Sequence, residues 1–396
     1  MSKLDKKLNK KLDKNSKLLL YGQALSFMGD YCVLPALLIL STYYHDYWVT
    51  SGVIIVRSIP MILQPFLGVL IDRFSRLKIM FWTDIIRGFI FLSITLLPKG
   101  EYPLLFLLLL LLSYGSGVFF NPARLAVMSS LGENIKRVNT LFAKATTLCI
   151  IVGALIGAAS LAWGSLELAV GFNAATYFIS AIFIIQIKIK SEIKLNRNNE
   201  SIKDSFKVGI KEIIHNQFVL NGVFTMMAMS VLVGISYSYF PFVSKYIDKS
   251  DVGNFILTIC IGLGGFFGAQ LVDKWGFNNN KGLLYFVIIS IISLCVFISS
   301  TSFIVAFLAA TAFFMTMEYG EVLAKVKVQE HSLNEIQGRI FAVSEALIGL
   351  SISFGSILIN IINPYIIMGL IILIMLSLFL HTLLVNKLHL KNDVDM

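Results

Sequence analysis

Ionisable side chains inside long apolar runs are the residues of this sequence best suited to chemistry. They are Asp30, Arg57, Arg124, Lys144, Glu318, Glu321 and Glu345. A charge in an apolar helix within a membrane costs about 2.5 to 3.5 kcal/mol, so such a residue faces a cavity, pairs with an opposite charge or carries function. A carboxyl group there can bind and release a proton, because apolar surroundings favour its neutral form and a nearby cation favours its ionised form.

Asp30 is the first candidate for a proton-coupling carboxyl group, because it stands about midway along its apolar run and far from any loop. A cationic substrate and a proton could then compete for one site. The alternative is a permanent ion pair with Arg57 or Arg124 that only positions helices. Both interpretations keep Asp30, Arg57 and Arg124 as candidate site residues.

Three acids in the second half of the chain are further candidates for proton or substrate binding. Glu318 and Glu321 are three residues apart, so they share one face of a helix and repel each other when both are ionised. Glu345 either lines a cavity or meets Lys325.

A further acid and base belong to structure rather than to a site. Asp84 and Arg87 are three residues apart on one helical face, so the spacing predicts that they pair with each other.

Patterns typical of enzymes and metal sites are missing from the sequence. It has no phosphate loop and no nucleophile motif. The four cysteines all lie in apolar runs without paired spacing, and the five histidines are scattered. We therefore predict no catalytic residue, no metal and no enzymatic activity.

The elements that carry these residues are membrane-spanning helices. Hydrophobic residues make up 57% of the chain and charged residues 14%, which is too little polar surface for a soluble protein of 396 residues. No alternating barrel pattern is present, so the apolar runs must be helices. There are twelve such runs, at 18–43, 48–71, 79–98, 102–131, 138–163, 165–188, 213–246, 252–272, 282–300, 302–328, 338–362 and 364–386.

The distribution of lysine and arginine predicts the orientation. Most of them fall on one side of the predicted spans, and positive residues collect in cytoplasmic loops. We therefore expect both termini to be cytoplasmic and the protein to lie in the plasma membrane. Anionic lipid at the inner leaflet accounts for the net charge of +10, so no nucleic-acid partner is needed.

The composition divides the chain into two halves of six spans each. The predicted segments are a basic N-terminal tail, an N-terminal bundle, a polar linker, a C-terminal bundle and a short C-terminal tail, at 1–17, 18–188, 189–212, 213–387 and 388–396. Apolar residues of the linker approximate one helical face, which suits a helix lying at the inner membrane surface. The alternative is a solvated linker.

A short charged hinge occurs once in each half. Residues 68–80 read GVLIDRFSRLKIM, with Asp72 and Arg73 at their centre, and residues 269–276 read AQLVDKWG, with Asp273 about 200 residues later. Bundles repeated in the same orientation are typical of transporters.

These motifs resemble the Major Facilitator Superfamily. The hinge is similar to the loop between the second and third helices of that family, and the similarity covers nearly the whole chain. Finer features resemble its macrolide-efflux and siderophore-exporter branch: Gly29-Asp30, the stretch IDRFSRLKIMFWTDIIRG, Asn121-Pro122-Ala123-Arg124 and Gly338-Arg339. The resemblance implies two six-helix bundles that rock about a central site, with a proton gradient as energy source and no cofactor.

The resemblance also gives the hinge a role as a cytoplasmic gate. An acid at the membrane face needs a cation or a helix N-terminus, and the family fold offers the start of the eleventh span. A contact made only when the cytoplasmic side is closed would act as a latch between the bundles. The alternative explanation for the basic residues of the hinge is that they only follow the tendency of positive residues to lie on the cytoplasmic side. The residues assigned to this gate are Gly68, Asp72, Arg73, Arg76, Lys78, Asp273 and Arg339.

Two glycines of the fifth span are assigned to helix packing. Gly153 and Gly157 are four residues apart and permit close helix contact. They match part of a glycine- and proline-rich motif of drug antiporters in the same family, although Ala154 stands at the proline position.

The expected function is proton-coupled efflux of a hydrophobic or amphipathic small molecule of the drug or macrolide type. The alternatives are export of a siderophore or peptide, flipping of a lipid, and a membrane sensor that transports nothing. The expected partners are the small-molecule substrate and the lipid bilayer, with the protein a monomer.

Overall fold

The protein is all-helical wherever its structure is described. The computed structural model describes residues 13–63, 74–130, 135–188, 202–248, 251–275, 280–361 and 364–394. Within those ranges we number the α-helices α1 Lys14–Thr42, α2 Tyr47–Ser58, α3 Arg76–Thr95, α4 Pro103–Ser130, α5 Ile135–Ala162, α6 Leu166–Ile185, α7 Ile202–His215, α8 Gln217–Val243, α9 Val252–Trp275, α10 Asn280–Ser299, α11 Phe303–Glu330, α12 Asn334–Ile361 and α13 Pro364–Val394.

The described helices account for the apolar runs. Eight of them, α1, α4, α5, α6, α8, α9, α11 and α12, are long and apolar enough to cross a membrane, and shorter apolar helices cover 47–63, 286–299 and 368–380. Helix α3 has spanning length but carries Arg76, Lys78, Asp84 and Arg87. The predicted polytopic all-α fold is confirmed.

One predicted boundary lies four residues from the observed one. The apolar run placed at 213–246 joins two helices, because α7 ends at His215 and α8 begins at Gln217. Asn216 lies between them, and its side-chain oxygen accepts hydrogen bonds from the backbone N–H groups of Phe218 (3.1 Å) and Val219 (3.3 Å). Its amide nitrogen also donates to the carbonyl of His331 at 2.8 Å. An asparagine cap therefore starts a new helix inside an apolar run.

Packing divides the chain into two compact units. The first consists of residues 1–45 and 66–199, and among its described helices α1 packs on α5 and α6, while α3 packs on α4 and α6. The start of α1 is tied to the residues after α6, because Asn15 Nδ2 donates to the carbonyl of Lys188 at 2.8 Å and Asn15 Oδ1 accepts from its backbone N–H at 3.2 Å.

The second unit consists of residues 46–65 and 200–396. Helix α2 belongs here because it packs on α12, where Ser51 Oγ donates to the carbonyl of Ser356 at 2.8 Å. Aromatic side chains fill the core between α8, α10 and α11, including Phe240, Phe297 and Phe314. Helix α7, in the segment expected to be a linker helix, packs on α12, and its membrane-surface role remains a prediction, as does the six-plus-six division.

Helices α8 and α12 approach each other through a reciprocal pair of glycines. A Cβ atom on Gly234 would overlap the main-chain carbonyl oxygen of Ile352, and a Cβ atom on Gly355 would overlap that of Val231. Both obstacles are backbone atoms, which cannot rotate away. The close contact therefore depends on glycine at both positions.

We expect Gly355→Ala to destabilise the second unit by about 1–3 kcal/mol, because the added methyl group must push α12 away from α8. The matched control is Gly369→Ala in α13, where a Cβ atom meets nothing within 4 Å. That exchange should be neutral or stabilise by up to about 1 kcal/mol, since alanine favours the helix. Thermal unfolding of both purified variants in detergent measures the difference, and equal midpoints would contradict the packing argument.

Candidate functional site

An ion pair between α1 and α3 forms the centre of the candidate site in the first unit. Arg87 Nη2 lies 3.4 Å from Asp30 Oδ1, and the side chains are 10% and 23% exposed, respectively. Asp30 stands in the interior of α1, which is apolar enough to cross a membrane, and Arg87 stands in the interior of α3, so an unpaired charge at either position would be costly. The sequence predicted Arg57 or Arg124 as the alternative partner of Asp30, and the structure corrects this to Arg87.

Tyr177 on α6 holds both members of this pair. Its hydroxyl donates a hydrogen bond to Asp30 Oδ1, and its ring lies under the guanidinium of Arg87, 4.0 Å from Cζ to the ring centroid. A Cβ atom on Gly117 of α4 would lie 3.4 Å from Arg87 Cζ. The guanidinium therefore lies between the ring of Tyr177 and the glycine surface of α4. These two contacts fix its position.

Asp84 lies one turn before Arg87 on α3, and its environment differs from the prediction. Its exposure is 0%, and neither carboxyl oxygen has a hydrogen-bond partner among the described residues. The predicted ion pair between Asp84 and Arg87 is wrong. The guanidinium of Arg87 pairs with Asp30 instead. Ser180 on α6 interacts with this carboxyl group, although no hydrogen bond of standard geometry joins the two side chains.

The other two candidate arginines contact aromatic rings. Arg124 on α4 has its Cζ 5.2 Å from the ring centroid of Phe142 and 5.8 Å from that of Phe27. Arg57 on α2 has its Cζ 5.9 Å from the ring centroid of Tyr237 in the second unit. Both arrangements suit cations in apolar surroundings. The side chain of Lys144 lies outside the described residues.

The three candidate glutamates surround one lysine in the second unit. Lys325 Nζ donates to Glu321 Oε1 at 2.5 Å, one turn away on α11, and the two side chains are 43% and 46% exposed. Glu318 on the same helix and Glu345 on α12 also attract this lysine. This group can bind a cation or a proton, but much of it is open to solvent.

A half-buried lysine of α11 was missed by the sequence reasoning. Lys327 Nζ donates to Asn221 Oδ1 of α8 at 2.8 Å, and Asn221 Nδ2 donates to Thr382 Oγ1 of α13 at 3.1 Å. The sequence signal that could have revealed this contact is Asn221, a polar residue within an apolar run. These polar contacts join three helices of the second unit.

The residues assigned to the cytoplasmic gate are described only in part. Gly68, Asp72 and Arg73 lie outside the described residues, and so does the side chain of Asp273, which is on α9. Of the remaining three, Arg76 begins α3 and is buried, Lys78 is exposed, and Arg339 is half-buried on α12. The latch remains a prediction.

The glycines assigned to packing lie on α5. A Cβ atom on Gly153 would overlap the carbonyl oxygen of Met28 and would lie 3.0 Å from the backbone nitrogen of Cys32, so α5 approaches α1 closely there. Gly157 is buried one turn later. This contact brings α5 against the segment of α1 that carries Asp30.

Comparisons with known proteins agree with this architecture. Residues 19–356 match the family model described as Major Facilitator Superfamily. The chain is 65% identical over 384 residues to a Bacillus subtilis (strain 168) protein named "Putative bacilysin exporter BacE", covering 97% of this chain and 98% of the relative. A protein of the same name from Bacillus amyloliquefaciens is 65% identical over 378 residues, covering 96% of each chain.

Solved structures with low sequence identity have the same fold. The nucleoside transporter NupG matches with a TM-score of 0.69 and 13% identity, covering 92% of this chain and 99% of that one. An inward-facing bacterial homologue of the lysosomal transporter Spinster matches with a TM-score of 0.66 and 11% identity, covering 87% of this chain and 80% of that one. The chain therefore belongs to the Major Facilitator Superfamily, and it is a multi-pass membrane transporter rather than an enzyme.

Proposed function

We propose that this transporter exports bacilysin or a closely related small molecule across the plasma membrane, driven by the proton gradient. The observation that carries the proposal is 65% identity over nearly the full length of relatives named as bacilysin exporters. Macrolides and siderophores, which the sequence resemblance suggested, are alternative substrates.

Coupling to protons is supported by the geometry around Asp30. A carboxylate in a membrane-spanning helix is stable there because Arg87 and the Tyr177 hydroxyl neutralise and solvate it. A proton arriving at Asp30 removes the negative charge that holds Arg87, so the pair has two states that differ in helix contacts. A proton can thereby change the relative stability of two conformations of α1 and α3.

Inside-out membrane vesicles provide the transport test. Respiration acidifies their lumen, so an exporter coupled to proton entry accumulates its substrate inside. We expect vesicles that contain the protein to accumulate labelled bacilysin, and a protonophore to abolish this accumulation. A labelled macrolide and a labelled siderophore tested in parallel measure selectivity. Accumulation of bacilysin no greater than in vesicles without the protein would overturn the proposed substrate.

We expect Asp30→Asn to abolish proton-driven accumulation, because an amide cannot take up the proton. Downhill movement of labelled substrate, measured without a gradient, should remain. The matched control is Glu167→Gln, an acid at the start of α6 that pairs with Lys99 at 2.7 Å and lies apart from the site. The control should keep wild-type accumulation. Retention of proton-driven transport by the Asp30 variant would remove the coupling role.

A further inference from the structure

Asp84 has no part in the ion pair, yet it is the most deeply buried acid of the candidate site. It has 0% exposure, and within the described ranges neither carboxyl oxygen makes a hydrogen bond. Ionising a carboxyl group in such a place costs several kcal/mol unless a cation or donors compensate. Arg87, a permanent cation three residues away on the same helix, is held by Asp30 at 3.4 Å and by the ring of Tyr177. A protonated, neutral Asp84 avoids this cost and therefore fits its buried position.

The groups facing Asp84 and Arg87 come from four helices. They are Asp30 on α1, Arg87 on α3 itself, Tyr114 on α4, and Tyr177 with Ser180 on α6. Because the tyrosine and serine hydroxyls are neutral, the charged side chains of the site among the described residues are two acids and one guanidinium. A fully ionised set would carry one excess negative charge in apolar surroundings. One bound proton makes the set neutral.

We propose that Asp30 and Asp84 share a single proton around Arg87. In the conformation described here the proton resides on Asp84, and Arg87 pairs with ionised Asp30. When a proton binds Asp30, the O–H bond of Asp84 breaks, its proton leaves to solvent or substrate, and Arg87 turns one helical turn back along α3 to pair with the new carboxylate. The guanidinium keeps its charge throughout.

Sharing one proton makes the two acids dependent on each other. Removal of either carboxyl group leaves a single acid beside a permanent cation, so that acid should be ionised. An independent protonated Asp84 would behave differently, since it would keep its proton in the absence of Asp30. The charge argument stands on the geometry alone, whereas its link to transport rests on the proposed function.

Infrared spectroscopy of the full-length protein in lipid nanodiscs tests the sharing. The carbonyl stretch of protonated carboxyl groups is compared at neutral pH between the wild type and Asp84→Asn, Asp30→Asn and Glu167→Gln variants. We expect both aspartate variants to lose the same band, equivalent to one carboxyl group, and the Glu167 control to keep it. Loss in only one aspartate variant, or in neither, would overturn the proposal.

The asparagine substitution at Asp84 should preserve the fold, and the Asp30→Asn variant tests the proposal without it. The amide introduced by Asp84→Asn has nearly the size of a protonated carboxyl group, so the fold should tolerate it, and size-exclusion elution checks this. If that variant fails to fold, the comparison between the wild type and Asp30→Asn still distinguishes a shared proton from an independent one. Failure of the proposed function is recognised separately, as wild-type vesicles that do not accumulate substrate while the spectra remain as expected.

Discussion

The neutralisation of charge inside apolar helices is the constraint on which the candidate site depends. Asp30 and Arg87 each would be costly alone, and the contact between α1 and α3 lets each compensate the other. Tyr177 then adds a hydrogen bond on one side and an aromatic face on the other. The three helices that carry these side chains are therefore held together by electrostatics as well as by apolar packing.

Close helix approach makes this compensation possible. Lipid provides no hydrophobic force between helices, so small residues must allow backbones to touch. Gly153 brings α5 against α1 beside Asp30, and Gly117 leaves room on α4 for the guanidinium of Arg87. In the second unit Gly234 and Gly355 perform the same task for α8 and α12. Charge pairing and glycine placement are thus parts of one arrangement.

The sequence predicted most of the fold and only part of the site. Apolar runs are long, and backbone groups in lipid must be bonded within a helix, so the spans could be recognised without tertiary information. The break between the linker helix and the following span was placed four residues early, because one capping residue, Asn216, does not interrupt an apolar run. The predicted partner of Arg87 was wrong because spacing along one helix points only to Asp84, three residues earlier in the sequence. Asp30 is 57 residues away in the sequence, and only the fold brings it to Arg87.

Solvent exposure separates the acids of the two units as sites for a transported proton. Glu321 and Lys325 are 46% and 43% exposed, so water screens their charges and an ionised glutamate there costs little. Asp84 is fully buried, and Asp30 and Arg87 are mostly buried, so water screens their charges far less and the proposed proton would correct their imbalance. A proton bound because water is excluded is released when a conformational change admits water or brings a cation near. The proposed coupling of protonation to helix movement therefore fits the site between α1, α3 and α6 better than it fits Glu321 on α11.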